Sequence, residues 1–343
     1  MSAPIALSEE LLARLFYTLS VTLKAGLPLP KTLDLLAQTA EHPQIRDVAK
    51  LMQEKLNSGL SFTETLRNSL DLENKNTFLR LLGAGEQAGA LEPILERLYQ
   101  YLTQDLALRR KIRQAAVYPV LLFLTLVAIM AALVFCAAPF VQILEGSHHP
   151  LTRILFWEIH TLQRYWFVAL LALAGIVFFI RGKTMSQRIG RWLSRLPLWG
   201  KIQLWYGINR FALLMETYSV SGLSILQGLV VALKAIDHPV LSEDSIQQIN
   251  QAVYEEGKTI AEALEEHAPK LPAILRAYLQ AAESTGAMDK LCRLLGEWAA
   301  LEVEQATQQI TLLIEPATLL VIGVFIGFHI VAFMLGLQEI MPL

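Results

Sequence analysis

Charge is scarce in this chain. Only 17% of its 343 residues are Asp, Glu, Lys or Arg, and 54% are hydrophobic. A soluble domain carries about 25% charged residues, so part of the chain belongs in lipid. Cysteine is scarcer still: Cys136 in an apolar run and Cys292 in a charged helical segment are the only two. With no CxxC spacing, neither a disulfide framework nor a thiolate metal site is expected, and both read as small apolar fillers. The first thirty residues hold Glu9, Glu10 and Arg14 in a helical pattern and lack an apolar core of the signal-peptide kind. Membrane insertion is therefore expected through internal segments. The formal net charge of -2 gives no electrostatic reason to expect direct nucleic-acid binding.

Catalytic and nucleotide motifs are missing too. Gly182-Lys183-Thr184 has the tail of a P-loop, but the nearest earlier glycine, Gly175, leaves six intervening residues before Gly182 and lies within an apolar run. A P-loop needs four intervening residues, a strand before it and a helix after it. Gly257-Lys258-Thr259 lacks the leading glycine altogether. His148, His149 and His160 share a segment with Glu145 and Glu158, yet they show no i,i+4 histidine pair and no HExxH. No convergent nucleophile, base and donor set emerges, so no enzyme activity and no cofactor are expected.

What is present is duplication. Gly26-Leu27-Pro28-Leu29 through His42-Pro43 returns as Gly222-Leu223-Ser224-Ile225 through His238-Pro239, at an offset of 196. Gly85-Glu86-Gln87-Ala88-Gly89-Ala90-Leu91 returns as Ala282-Glu283-Ser284-Thr285-Gly286-Ala287-Met288, at an offset of 197. Each copy then enters a long apolar segment at a proline, Tyr118-Pro119 and Glu315-Pro316. Self-similarity at a fixed period marks a repeated structural unit.

The apolar segments predict three transmembrane helices. Gln114 to Leu144 has no charged residue, Tyr165–Ile180 is a shorter second candidate, and Pro316–Leu337 is a third. About 20 residues cross a bilayer core, and only helices or closed barrels satisfy the backbone there. Arg109, Arg110, Lys111 and Arg113 precede the first span; Arg181, Lys183, Arg188, Arg191 and Arg195 follow the second. The positive-inside rule places both repeats in the cytoplasm, residues 142–162 outside, and, after three crossings, the C-terminus outside. His329 is the one clearly intramembrane ionisable group and reads as hydrogen-bonded to a neighbouring helix.

Both soluble stretches read as helices. Leu91, Ile94, Leu95, Leu98 and Leu102 follow a 3.6-residue stripe, and no sustained period-2 alternation exists. The breaks coincide between the copies and predict about six helices in each. Gly26 and Gly222, and Gly89 and Gly286, fit helix ends that need positive φ. Pro28 and Pro30 suit a helix start in the first copy, and Ser224 an N-cap in the second. After Gly59 comes Ser61-Phe62-Thr63-Glu64, and after Gly257 comes Thr259-Ile260-Ala261-Glu262, two capping boxes. These glycines, with Pro119 and Pro316, are expected to define the fold. Glu92 and Asp289 suit the positive end of a helix dipole. Glu86 and Glu283 sit at helix C-ends, where an acid is electrostatically unfavourable, so contact with another element or a partner is expected of them.

These motifs, twice in the same order beside the spans, resemble the general secretion pathway protein F family, with its type IV pilus members. The resemblance covers about residues 10–340. It implies an all-α membrane protein with two homologous six-helix cytoplasmic bundles and three transmembrane helices. It implies an inner-membrane platform between a hexameric secretion ATPase and pilin or pseudopilin subunits, working with other inner-membrane assembly proteins as a homo-oligomer. Glu86 with Glu92, and Glu283 with Asp289, match the family's Gly-Glu-x-x-Gly-x-Leu-Asp pattern. Some members place carboxylates after Gly-Leu-Pro-Leu in a metal site; here Pro30-Lys31-Thr32 stands there and Lys31 would repel a cation. Other members carry a longer N-terminal arm that docks the ATPase, where about ten residues precede the first repeat here.

The expected organisation is a first bundle over 1–115, spans at 117–141 and 163–181 around an outer loop at 142–162, an amphipathic connector at 182–204, a second bundle over 205–312 and a third span at 316–337. An oligomeric small-solute transporter is the alternative, since duplication is common there. Three spans beside two large soluble units leave such a transporter little pore.

Overall fold

The computed structural model describes residues 4–71, 75–141, 149–158, 160–161, 164, 197–222 and 224–340. The expected second span lies almost wholly outside these residues, as do most of the connector and the first part of the outer loop. The chain divides into two compact units, one of Met1–Lys111 with Lys201–Val303 and the other of Ile112–Gly200 with Glu304–Leu343.

The first unit holds both repeats. In the first copy, α1 is Glu9–Lys24, α2 Leu29–Thr39, α3 Pro43–Asn57, α4 Phe62–Ser69, α5 Lys75–Gln87 and α6 Leu91–Val141. In the second, α7 is Pro197–Val220, α8 Ile225–Lys234, α9 Glu243–Tyr254, α10 Ile260–His267, α11 Ala273–Thr285 and α12 Met288–Ile340. Short links keep successive helices adjacent, α2 on α3 and α4 on α5, with α9 on α10 and α10 on α11 in the second copy. The predicted stripe of α6 turns inward: Ile94, Leu95, Leu98 and Leu102 are buried, with Leu15, Phe16, Val48, Met52 and Leu66 from the other helices. Cys292, Leu295 and Ala299 occupy the matching inward positions of α12. Burial pushes the Cys292 thiol up to about 12, with Glu216 and Asp289 adding to it.

The helix breaks have a common cause. Gly26 ends α1 at φ 84° with two amides turned back to Leu23 and Thr22 carbonyls through Gly26 and Leu27. Gly222 takes φ 67° at the same point of the second copy. An L side chain there would meet nothing within 4 Å, so conformation alone selects glycine. Ser224 stands at the N-cap of α8, but its hydroxyl makes no capping bond, so Pro28 and Ser224 start their helices by extended backbone rather than by side-chain capping.

Two further features depart from the sequence reading. Ile5–Ala6 pairs in parallel with Leu70–Asp71, a two-residue ladder too short to show as alternation. Neither Pro119 nor Pro316 opens a helix: α6 and α12 run through them. A proline removes one ladder hydrogen bond and crowds one carbonyl, which a long helix tolerates. Likewise α7 starts at Pro197, ahead of the expected bundle start at 205.

Among the described residues, α12 is the one helix long and apolar enough to cross a membrane. In the second unit its Leu319, Leu320, Val324, Ile330 and Met334 are exposed, an apolar surface that water would not favour. Residues 150–158, expected within a loop, are helical. Buried Leu155 packs with Ala332 and Phe325, and the buried Thr152 hydroxyl donates to the Ala332 carbonyl at 3.0 Å. His329 Nδ1 lies 2.9 Å from the Phe325 carbonyl of its own helix. Its Nε2 stands 3.9 Å from Glu158, an acidic neighbour that the sequence pattern did not reveal.

Candidate functional site

The two helix-end acids have parallel placements. In the first copy, the capping box at the start of α4 is complete: Glu64 N–H donates to Ser61 Oγ at 3.2 Å and Ser61 N–H to Glu64 Oε2 at 3.4 Å. That leaves the amides of Phe62 and Thr63 pointing out of the helix start. Glu86, at the end of α5, takes both. Phe62 N–H donates to Oε1 at 2.5 Å and Thr63 N–H to Oε2 at 3.0 Å, joined by the Thr63 hydroxyl at 2.8 Å. In the second copy, Thr259 and Glu262 form the box on α10. Ile260 N–H reaches Glu283 Oε1 at 2.7 Å and Ala261 N–H reaches Oε2 at 3.3 Å. Ala261 has no hydroxyl, so this clamp has one bond fewer.

The geometry resolves the electrostatic oddity. Each acid is unfavourable at the end of its own helix and favourable at the start of another, where the dipole and free amides attract an anion. The clamps pin α5 to α4 and α11 to α10. Glu92 and Asp289 lie in the first turns of α6 and α12. Glu92 is 4.0 Å from Lys24, which also bonds Glu96 at 3.3 Å. Asp289 is half-buried and, with burial as the leading cause, adds to the raised pKa of Glu216, which Arg97 and Arg293 oppose.

A second constellation joins the copies, and sequence reasoning missed it. The Tyr206 hydroxyl of α7 donates to Asp105 of α6 at 2.7 Å and accepts from Arg109 Nε at 2.6 Å. Arg109 also bridges Asp105 at 2.7 Å and Glu9 at 2.7 Å. Asp105 is 2% exposed, so its charge depends on these partners. Burial, reinforced by Asp105, pushes the Tyr206 hydroxyl well above its ordinary pKa despite Arg109. Burial opposes the charge of Arg109, but Asp105, Tyr206 and Glu9 more than restore it. Nearby, the Arg210 guanidinium stacks 5.9 Å from the Tyr206 ring. Arg97 faces Glu216 at 4.0 Å, and Arg110 pairs with Glu10 at 2.7 Å. Arg109 and Arg110, basic residues before the first expected span, are thus engaged by acids. The one available signal was the divergence of Tyr206 from its repeat counterpart Glu10, since tyrosine is a poor choice for a solvated helix face.

An open groove of about 1200 Å³ runs between α4–α5 and α7–α9, with Glu86, Arg67, Arg80 and Tyr254 on its walls. Among the described residues, no group of three or more His, Cys, Asp or Glu side chains is placed to hold a metal ion. The clamps fix the positions of the helices that they join.

Comparison with known proteins agrees with the internal repeat. The family model described as "Type II secretion system (T2SS), protein F" matches twice, over residues 15–139 and 211–336. A type IV pilus assembly protein PilC of Thermus thermophilus is 29% identical over 330 residues, 94% of this chain and 80% of the relative. PilC of Myxococcus xanthus is 27% identical over 321 residues, 91% of this chain and 75% of the relative. Type II secretion system protein F of Vibrio cholerae is 26% identical over 288 residues, 81% of this chain and 70% of the relative. The two matched segments begin 196 residues apart, the offset at which Gly26 recurs as Gly222, and the chain belongs to the type II secretion system protein F family.

Proposed function

We propose that this chain is an inner-membrane platform of a type IV pilus or type II secretion machine. It couples a hexameric cytoplasmic ATPase to the assembly of pilin or pseudopilin subunits and performs no bond chemistry. The reading is carried by the paired architecture: two clamped helical units, each continued by a long apolar helix, in a family whose relatives are named for pilus assembly and secretion. A platform must transmit force without yielding. The carboxylate clamps suit that task because they tie helices by charge-assisted bonds inside each unit. Both repeats lie in the cytoplasm, three helices cross the bilayer, and the C-terminus lies outside. The ATPase meets the α4–α5 and α10–α11 corners that Glu86 and Glu283 hold in shape, with Glu92 and Asp289 at the starts of the helices that follow. The chain works as a homo-oligomer beside other inner-membrane assembly proteins.

The test is affinity capture from detergent-solubilised membranes, with Glu86→Ala/Glu283→Ala as the comparison. The wild-type protein should recover a motor ATPase and prepilin-like subunits. The double variant, at equal abundance, should recover less ATPase and support less surface pilus or secreted protein. Capture of neither class, or assembly that proceeds without this chain, refutes the reading.

A further inference from the structure

Beside the open groove, and sharing Arg80 and Val230 with it, lies a smaller pocket of about 420 Å³. Both copies build it. Arg80 comes from α5, Tyr101 from α6, Arg210 and Leu214 from α7, and Lys234 from the end of α8. Phe78, Tyr101 and Leu214 are buried and give it an apolar floor. Around that floor stand three cations, Arg80, Arg210 and Lys234, and one acid, Asp237. Among the described residues, none of the three cations forms an ion pair. Asp237 and the negative end of the α8 dipole, worth about half a charge, leave an excess of about 1.5 positive charges.

The helix packing of a copy does not require these charges. At the repeat offset of 197 Arg80 corresponds to Ala277, and at 196 Lys234 corresponds to Gln38. Two buried donors also flank Arg80. Arg210 Nε, within the pocket, is buried and has no hydrogen-bond partner among the described residues. Tyr218, 2% exposed, holds its unpartnered hydroxyl in the wall of the groove, where the charge of Arg80 acts on it. Buried donors are nearly always paired, so both point to an acceptor that a ligand brings. The turn at the rim departs from the first copy as well. Asp237 takes φ 40°, the one positive φ outside glycine among the described residues, and Glu41 at the matching position does not. Strained backbone of this kind gathers at ligand clamps.

We infer that this pocket binds a small phosphate monoester, its phosphate held by Arg80, Arg210 and Lys234. Such a phosphate carries about -1.5 to -2 charge at neutral pH, which answers the excess. Two guanidinium forks and an ammonium supply charge-assisted donors. A carboxylate carries a single charge and would leave part of the excess unanswered. The pocket exceeds the size of a bare phosphate, so the organic part of the ligand lies on Phe78 and Leu214. Because helices of both copies line the pocket, the ligand ties the copies together at a second point beside the Tyr206 seam. The inference stands apart from the platform reading, since the pocket binds its ligand whatever the chain assembles.

The experiment uses the full-length protein in a neutral detergent, with phenyl phosphate, ribose 5-phosphate and AMP as probes. Binding is read by equilibrium dialysis and by the melting temperature. Phenyl phosphate should bind and raise the melting temperature. Phenyl sulfate, alike in shape with one charge, should bind at least about tenfold more weakly. Arg80 and Lys234 are exposed, so Arg80→Gln and Lys234→Gln should melt as the wild type does without ligand. Each should lower the affinity for phenyl phosphate about tenfold. Arg67→Gln removes a groove cation outside the pocket and should leave that affinity unchanged. In lipid nanodiscs, displacement of phenyl phosphate by phosphatidic acid assigns the site to a lipid headgroup, and no displacement assigns it to a soluble ester. No binding of any of the three phosphates at millimolar concentration, equal affinity for phenyl sulfate, or affinity that survives both Arg80→Gln and Lys234→Gln overturns the inference.

Discussion

Removing the Glu86 carboxylate tests the clamp most directly. Glu86→Ala deletes three accepted bonds, from the amides of Phe62 and Thr63 and the Thr63 hydroxyl. A hydrogen bond to a charged group contributes about 1.5–3 kcal/mol, and bonds that share one acceptor group are not additive. Phe62 and Thr63 are buried side chains, so water reaches their amides poorly once the acid is gone. A cost of about 3 kcal/mol follows. The equivalent Glu283→Ala deletes two bonds, so about 2 kcal/mol is expected. The assay is hydrogen–deuterium exchange of the full-length protein in detergent, followed at the start of α4. At about 1.4 kcal/mol per decade, Phe62 and Thr63 should exchange up to about a hundredfold faster in Glu86→Ala. A cycle with Thr63→Val isolates the hydroxyl, which should matter with Glu86 present and be silent without it. Unchanged exchange at these two amides, or a Glu283→Ala effect exceeding that of Glu86→Ala, refutes the account.

Other perturbations bear on separate parts of the structure. Tyr206→Phe removes the hydroxyl shared by Asp105 and Arg109 and should cost about 1–2 kcal/mol, read as a lower melting temperature. Asp105→Ala, which leaves Arg109 with Glu9 alone and the Tyr206 hydroxyl without its acceptor, should cost about 1–3 kcal/mol. Gly207→Ala drives a Cβ into the Ile236 carbonyl and should abolish accumulation of the folded protein, whereas Gly26→Ala meets no atom and should cost only about 1 kcal/mol through its φ. The Cys292 thiol should resist maleimide at neutral pH until the protein unfolds. Its folded pKa is raised from 9.0 to about 12, so its contribution to stability is complete below pH 9 and is lost as pH climbs toward 12. A melting series from pH 8 to pH 11 should decline in the native protein and decline less in Cys292→Ala.

Local signals in the sequence carried much of this fold. The glycines at positive φ and the two capping boxes are decided within four or five residues, so their spacing alone places the helix breaks. Tertiary partners were not legible in that way. Glu86 stood out as an acid at the wrong end of a helix, but its target lies 24 residues away, and nothing local names it. Asp105 and Tyr206 are 101 residues apart, and nothing local to either names the other. Prolines give a different lesson: Pro119 and Pro316, which open the apolar segments in the sequence, lie inside α6 and α12, whose helices continue through them. His329 shows the same limit, since the acid nearest it comes from a segment that reads as a polar loop.

Duplication explains which features stayed alike and which diverged. Each copy must hold its own helices together, and the clamps recur nearly bond for bond because both copies face that same internal problem. The surfaces face different problems. Arg97 and Asp105 meet α7, and the positions that match Arg97 and Tyr101 in the second copy carry Leu294 and Trp298, which are partly exposed. The chemistry of the two helix faces therefore differs where their surroundings differ, while the clamps inside each copy do not. A polar seam has one fixed register, set by the donors of Tyr206 and Arg109. The seam within the chain is thus the rigid joint between the two copies.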